Sequence, residues 1–533
     1  MGAATEGPLL VVCGEHLEQP ERAALAAWLA AGAPQVGALV VEQLCAQPSA
    51  LAAALVGRPA LAVVVAGCDH AGATGALRQA VAAGLDTARV GTVSLAAALA
   101  EESAVERACL LEAICLAGAR KADVLAGEPL AGRERLQLRR GLSRRTLLTP
   151  WREAPRHTAV LDENRCLGAP RCGACVSTCS ERALRAEGGL LRVDPLRCTS
   201  CGACVPFCPT GALSLPGAAL AGVAAELETL LGGGVDAITL TCERAAASLT
   251  PAAREHSAEP ATTLGLPCLA MASPGLLLGL LVAGARVGLA PCPTCPNDQA
   301  VSNAVGFAGR VLHALGRGDL LARLSVAGVD RACEPTAAAP QRSAHPLDTL
   351  VLREPAATNV AVARLLDGPG DHSRSDEAIL DASAPGGVVR IDPGECSLCG
   401  ACVLACPTGA IARSEVEPEL ILDAARCLGC GRCAAACPEE AVAVIRGVDL
   451  QGLRTGPLRL RASIPSWTCA RCGTIVDDDP ILAPVARRLA DHGASTTLVA
   501  SLRRCSSCGA PAALSGDPTS REPARSPRPT EGR

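Results

Sequence analysis

Hydrophobic positions in the first 125 residues fall into short apolar runs separated by Ala-rich stretches of helical periodicity. The runs Leu9–Val12, Gly37–Val41, Leu61–Val65 and Arg89–Val93 read as strands, and their alternation with helices predicts a parallel sheet. The same texture returns over 217–335, with strands expected near Ala237–Thr241, Thr263–Leu266 and Arg286–Leu289. Elsewhere the pattern changes. A six-residue lead-in ending on Cys occurs four times, at Leu161–Cys166, Val193–Cys198, Ile391–Cys396 and Leu422–Cys427, grouped as two tandem pairs. Each unit reads as a short strand, a cysteine loop and a short helix. The expected fold class is therefore multidomain, α/β and α+β. It has parallel-sheet α/β domains at 1–125 and 217–335, cysteine modules at 158–216 and 387–447, and a small unit at 463–514. Residues 126–157 and 336–386 read as linkers, the second with one helix near Val360–Leu366; the tail 515–533 has little to bury and is expected to be disordered.

The stretch Ala261–Ala285 carries no charge and is long enough to raise a membrane span. Pro267, Pro274 and four glycines split it, so a buried strand followed by a helix is the expectation. Composition narrows the function classes. The net charge of −4 offers no basic field for a phosphate backbone, and 3 Trp, 2 Phe and no Tyr leave no stacking platform, so nucleic acid is not an expected partner. The N-terminus, Met1 to Glu6, has no basic region leading an apolar core, and export is not expected. In a chain of 533 residues without that signal, 30 cysteines point to metal rather than to a disulfide scaffold.

Three combs follow the spacing C-x2-C-x2-C-x3-C-P: Cys198, Cys201, Cys204 and Cys208; Cys396, Cys399, Cys402 and Cys406; Cys427, Cys430, Cys433 and Cys437. Three thiolates at this spacing wrap three corners of one cubane, and the turn carries the fourth to a neighbouring cube. The segments 198–212 and 396–410 closely resemble bacterial two-cluster ferredoxins. The resemblance implies crossed ligation: one [4Fe–4S] cluster on Cys396, Cys399, Cys402 and Cys437, its partner on Cys427, Cys430, Cys433 and Cys406. In the first pair it implies Cys166, Cys172, Cys175 and Cys208, with Cys198, Cys201, Cys204 and Cys179. That pair departs from the pattern, since five residues separate Cys166 from Cys172 and Ser180 stands where Pro follows the fourth thiol. Two intact clusters, or a degraded or three-iron first site, are both compatible with this.

The α/β regions carry cysteines just beyond strand ends: Cys13, Cys45 and Cys68 in the first, Cys242, Cys268 and Cys292 in the second, with Cys295 one turn later. The carboxyl ends of parallel strands converge on one crevice, which is where ligands bind. Thr241-Cys-Glu243, Leu266-Pro-Cys-Leu269 and Ala283 to Cys292 resemble the iron–sulfur delta subunit of methyl-viologen-reducing hydrogenase. That resemblance implies a [2Fe–2S] cluster on Cys242, Cys268, Cys292 and Cys295; buried structural thiols are the alternative. Val64 to His70, Ala83 to Asp86 and Val12-Cys-Gly14 resemble the N-terminal domain of the flavin-bearing subunit of heterodisulfide reductase. Three candidate ligands for a further cluster are visible there, with Cys109 and Cys115 on a nearby helix as candidates for the fourth; structural thiols are the other reading. The pairs Cys469/Cys472 and Cys505/Cys508, each followed by Gly, read as a zinc ribbon, with rubredoxin-like iron as the alternative.

No GxGxxG follows a strand, Ala73 stands where a phosphate loop needs Lys, and no nucleophile or acid–base pair presents itself. The expectation is a cytoplasmic electron-transfer subunit without a substrate site of its own. It would serve a flavoprotein, hydrogenase or heterodisulfide-reductase-like partner. An enzyme with a site-differentiated N-terminal cluster acting on a thiol or disulfide, and a redox-sensing scaffold, are the alternatives. Four oxidised cubes with their thiolates would add about −8 to the charge, which suits a basic docking face on the partner.

Overall fold

The computed structural model describes residues 7–127, 158–242, 262–326, 353–476 and 489–509. It omits 33–35, 56–59, 69, 83–88, 102, 169–171, 216–219, 293–296, 355, 368–377, 415–416, 418, 462–466, 470, 491–492, 494 and 497–503. Cys295, the tail after 509 and most of the 126–157 linker therefore lie outside the described residues.

Val- and Leu-rich runs form the first sheet. Strands β1 (Gly7–Cys13), β2 (Gly37–Val41), β3 (Ala60–Gly67) and β4 (Val90–Ser94) lie in the order β2-β1-β3-β4, all parallel. Helices α1 (Gln19–Gly32), α2 (Ser49–Leu55) and α3 (His70–Ala82) connect them. After β4 come a short α4 (Ala96–Ala100) and a long α5 (Ala104–Ala126), which starts at a cap where Ser103 Oγ accepts from Glu106 N–H. Alternate residues of β1 face opposite ways: Leu10 and Val12 join the large core under α5, whereas Leu9, Val11 and Cys13 join a smaller one with Leu44 and Leu51.

The first cysteine module contains β5 (Val160–Leu161), α6 (Ala174–Thr178), the hairpin β6 (Leu184–Glu187) and β7 (Leu190–Val193), and β8 (Leu213–Ser214). The second α/β unit opens with α7 (Leu220–Gly232). Its parallel sheet, ordered β10-β9-β11-β12, comprises β9 (Ala237–Cys242), β10 (Thr262–Leu266), β11 (Arg286–Ala290) and β12 (Leu324–Val326). Helix α8 (Pro274–Val282) is nearly all Leu, Gly and Val and is buried almost throughout; Pro at its first position and Ser273 as cap fix where it begins. The uncharged stretch is thus a strand and a helix, and among the described residues no helix is long and apolar enough to cross a membrane. Helices α9 (Asp298–Ala314) and α10 (Gly318–Leu321) complete the unit.

The two α/β units are not independent beads. α5 lies along α7, and residues of both sheets, of α8 and of the first module share one core. The segment read as a linker does structural work here. Its helix is α11 (Ala356–Asp367), and it packs on α8 so closely that a Cβ on Gly275 would meet Ala357 Cβ at 2.3 Å. Glu354, buried, accepts from Gly275 N–H at 2.6 Å and Thr358 N–H at 3.3 Å, so one carboxylate covers the N-termini of both helices. Glu354 N–H donates to Pro206 O in the first module, while Asn359 donates to Ala424 O and Ala425 O in the second. The 353–367 segment thus fastens both cysteine modules to the middle unit.

The second module contains β13 (Ile379–Leu380), β14 (Gly387–Ile391), α12 (Ala401–Ala405), β15 (Ile411–Arg413), β16 (Glu419–Leu422), α13 (Arg432–Ala436) and β17 (Val442–Val448). α14 (Leu450–Thr455) and β18 (Leu458–Arg461) follow, the latter extending the β15-β16 pair. A two-stranded ribbon, Trp467–Thr468 with Ile475–Val476, marks the C-terminal unit.

Candidate metal centres

Folding gathers the sixteen comb thiols into four groups, taken here in spatial order. Group I is Cys179, Cys198, Cys201 and Cys204; burial pushes the Cys204 thiol up, and its neighbours Cys201, Cys198 and Cys179 push further. Group II is Cys166, Cys172, Cys175 and Cys208, with Cys175 raised to about 12 by burial and then by the other three. Group III is Cys406, Cys427, Cys430 and Cys433, and Cys427 is raised to about 11 in the same way. Group IV is Cys396, Cys399, Cys402 and Cys437, with Cys402 raised to about 12. Groups II and III each line a partly open pocket, all four thiols of each group contributing to its wall.

Local backbone geometry explains how a short loop can aim so many groups inward. In each comb one residue in the left-handed region reverses the chain just after the second thiol: Gly173, Gly202, Gly400 and Gly431, with φ of 71–79°. A second left-handed residue comes three positions after the last thiol. It is Gly211 and Gly409 in two loops, but Arg182 (φ 51°) and Glu440 (φ 53°) in the others. Freed amides then point at sulfur: Gly168 N–H to Cys166, Ala183 N–H to Cys179, Ala212 N–H to Cys208 and Gly429 N–H to Cys427, at 3.2–3.4 Å. At Cys406 burial pushes the thiol up, but the amides of Ile411, Thr408 and Ala410 outweigh it and hold the thiol below its usual range. An all-thiol set with converging N–H donors suits an iron–sulfur cluster. Because a side chain in the left-handed region is strained, Arg182→Gly and Glu440→Gly are each expected to raise stability by about 0.5–1 kcal/mol. A rise in the denaturation midpoint of the anaerobic holoprotein checks this.

The groups follow one another through the molecule. Cys204 of group I feels Cys175 of group II, and Cys402 of group IV feels Cys433 of group III. Between modules, Cys172 of group II feels Cys430 of group III. Group I faces the middle unit: Met271 packs where Gly202 lacks a side chain, and Cys201 and Cys204 pack on the same core as Cys242 and Cys268.

At the middle crevice, Cys242 and Cys268 are buried and Cys292 half-buried, at the ends of β9, β10 and β11. Hydrogen bonding from Cys268, then the Leu269 amide, lowers the Cys242 thiol to about 5, although burial opposes it. Asn297, also buried, donates to Cys268 Sγ at 3.7 Å and accepts from Ser180 Oγ at 3.0 Å. Ser180 is the residue that replaces Pro after Cys179. Its departure from the comb pattern thus supplies a hydroxyl linking group I to the middle crevice. Nothing in the local sequence signals Asn297, which lies 117 residues away.

At the first sheet, Cys13, Cys45 and Cys68 converge with their sulfurs within 4.8 Å of one another. Cys109 is exposed. Cys115, raised to about 12 by burial, joins the core on the opposite face of the sheet from Cys13, so α5 does not bring a fourth thiol to this trio. At the C-terminus Cys469, Cys472, Cys505 and Cys508 come together within the same 4.8 Å, and the amides of Arg471 and Cys505 point at Cys469 Sγ.

Comparison with protein families matches a 4Fe-4S dicluster domain at residues 383–444, a 4Fe-4S dicluster domain at 419–476 and a 4Fe-4S binding domain at 191–214. These are the domains of an iron–sulfur electron-transfer protein. No curated protein matches the chain. The matches fall on the two cysteine modules, the one at 419–476 running on into the C-terminal unit, and leave both α/β units uncovered.

Proposed function

We propose that the chain relays single electrons through four [4Fe–4S] clusters on groups I to IV, within a heterodisulfide-reductase- or hydrogenase-like complex. The observation that carries this reading is the bridge between the modules: Arg353 donates to Cys208 O of group II, and Asn359 donates to Ala424 O and Ala425 O just before Cys427 of group III, which joins two modules into one series of thiol sites. Clusters bound there supply one-electron carriers whose potentials respond to burial and to hydrogen bonds at sulfur. The residues of the chain provide the rest. Thiols hold the sites, the amides behind Cys166, Cys179, Cys208 and Cys427 favour the more negative state, and the 353–367 segment keeps the modules in contact. At the group I end, Cys242, Cys268, Cys292 and Cys295 hold a [2Fe–2S] centre that exchanges electrons with group I across Ser180 and Asn297. Cys469, Cys472, Cys505 and Cys508 hold a structural zinc ion. The partner is a redox protein presenting a basic face, since the loaded chain is more acidic than its formal −4.

Anaerobic metal analysis with EPR of the reduced protein tests this. About sixteen iron per chain in the cubes, with interacting cubane signals, is expected. Fewer than about twelve would overturn the four-site reading.

A further inference from the structure

The trio at the first sheet differs in kind from the comb thiols. Cys13 Sγ and Cys68 Sγ are 3.3 Å apart, and Cys45 lies within 4.8 Å of both. Among the described residues, no three comb thiols come that close together. Spacing discriminates between cofactors. Thiolates on a single tetrahedral ion, with Zn–S of about 2.3 Å, stand roughly 3.8 Å apart. Thiolates on different irons of a cubane stand farther apart, because the cube itself lies between them. The four C-terminal thiols share the compact arrangement.

A fourth donor lies beside Cys68, outside the 4.8 Å that holds the three thiols together. Glu15, His16 and Cys68 form a second compact group, with Cys68 common to both. The Cys13-Gly-Glu-His16 segment leaves β1 in a turn closed by Leu17 N–H to Gly14 O, and Gly14 N–H donates to Val41 O. α5 fixes this turn from the side: Arg107 donates to His16 O at 3.1 Å and pairs with Glu21. The loop is thus held at the strand ends with an imidazole available. Three thiolates and a neutral imidazole around Zn²⁺ leave a net charge of −1, whereas Glu15 as fourth ligand would leave −2 at a partly exposed site. Cys₃His is a closed structural zinc set.

We propose that Cys13, Cys45, Cys68 and His16 bind a single zinc ion that ties β1, β2 and β3 together at their carboxyl ends. This differs from the cluster implied by the resemblance to heterodisulfide reductase, and it stands apart from the relay reading.

The test uses full-length protein carrying Cys505→Ser and Cys508→Ser, which removes the C-terminal zinc. Zinc K-edge absorption should then find about one zinc per chain, with three sulfurs at about 2.3 Å and one nitrogen at about 2.0 Å. His16→Ala should remove the nitrogen and weaken zinc binding by at least about tenfold, the loss seen even for groups that only support a ligand. His16→Cys should restore a full shell with four sulfurs. Iron and labile sulfide should be unchanged in all three proteins. If the C-terminal substitutions prevent folding, cadmium-113 NMR of the cadmium-loaded wild type should resolve two resonances, one from four sulfurs and one from three sulfurs and a nitrogen. Loss of iron and sulfide in Cys68→Ser, with no zinc present, would overturn the proposal in favour of a cluster. A zinc shell indifferent to His16→Ala would overturn the ligand assignment.

Discussion

Lys121→Ala is expected to destabilise the protein by about 3–5 kcal/mol, because it strands a carboxylate in the interior. Lys121 on α5 reaches Glu226 on α7 at 2.5 Å, and their side chains are only 8% and 3% exposed. The ammonium also donates to Thr92 O in β4. Burial pushes the Glu226 carboxyl up, and Lys121 pulls it back only in part. The pair is therefore costly to bury and costlier to break. Without Lys121 the carboxylate keeps its desolvation and loses both the attraction and the hydrogen bond. The isosteric pair Lys121→Met with Glu226→Leu fills the same space without charge and should be at least as stable as either single Ala variant. Anaerobic urea denaturation checks both; a loss below about 1 kcal/mol for Lys121→Ala would mean that water reaches the pair. The folded carboxyl holds its proton more tightly than the unfolded one. Stability contributed by this group therefore falls as pH rises from the ordinary carboxylate range through its raised folded value.

What could be read from the sequence divides along the same line as these energetics. The comb thiols and the apolar strand runs are local signals, set by spacing over a dozen residues or by a few consecutive side chains. The strand-end positions of Cys13, Cys45 and Cys68 were legible because a parallel sheet delivers the ends of its strands to one edge. Lys121 and Glu226 are 105 residues apart and look like ordinary helix-surface charges until α5 meets α7. Asn297 acquires a role only when it meets both Ser180 and Cys268. β12 is three residues long, too short to carry a periodicity. In the segment at 353–367 the helix expected near Val360–Leu366 is present, but its packing departs from that of a linker. Its composition is that of a linker, yet Ala357, Thr358 and Asn359 are buried because small side chains let α11 approach α8. The small side chains that give the segment a linker's composition are here the means of close packing.

Removing one cluster at a time should split the series of sites only when the cluster lies inside it. With Cys427→Ser and Cys430→Ser, about four iron per chain should be lost from group III. Group IV should then give an isolated cubane signal in the reduced protein, because group III, whose Cys433 acts on Cys402, is gone. Groups I and II should remain coupled through Cys204 and Cys175. The matching control is Cys396→Ser with Cys399→Ser, which empties the terminal group IV. It should also remove about four iron but leave the other three groups coupled, with the Cys172–Cys430 approach intact. The two variants change the same number of thiols in the same module, so loss of fold alone does not predict different spectra. If group IV stays coupled to the first module after group III is emptied, the order given by the side chains is wrong. If both variants give the same residual spectrum, the modules are not in electronic contact and the relay ends within each one. The expected asymmetry follows from the 353–367 segment, which holds the first module through Glu354 and the second through Asn359.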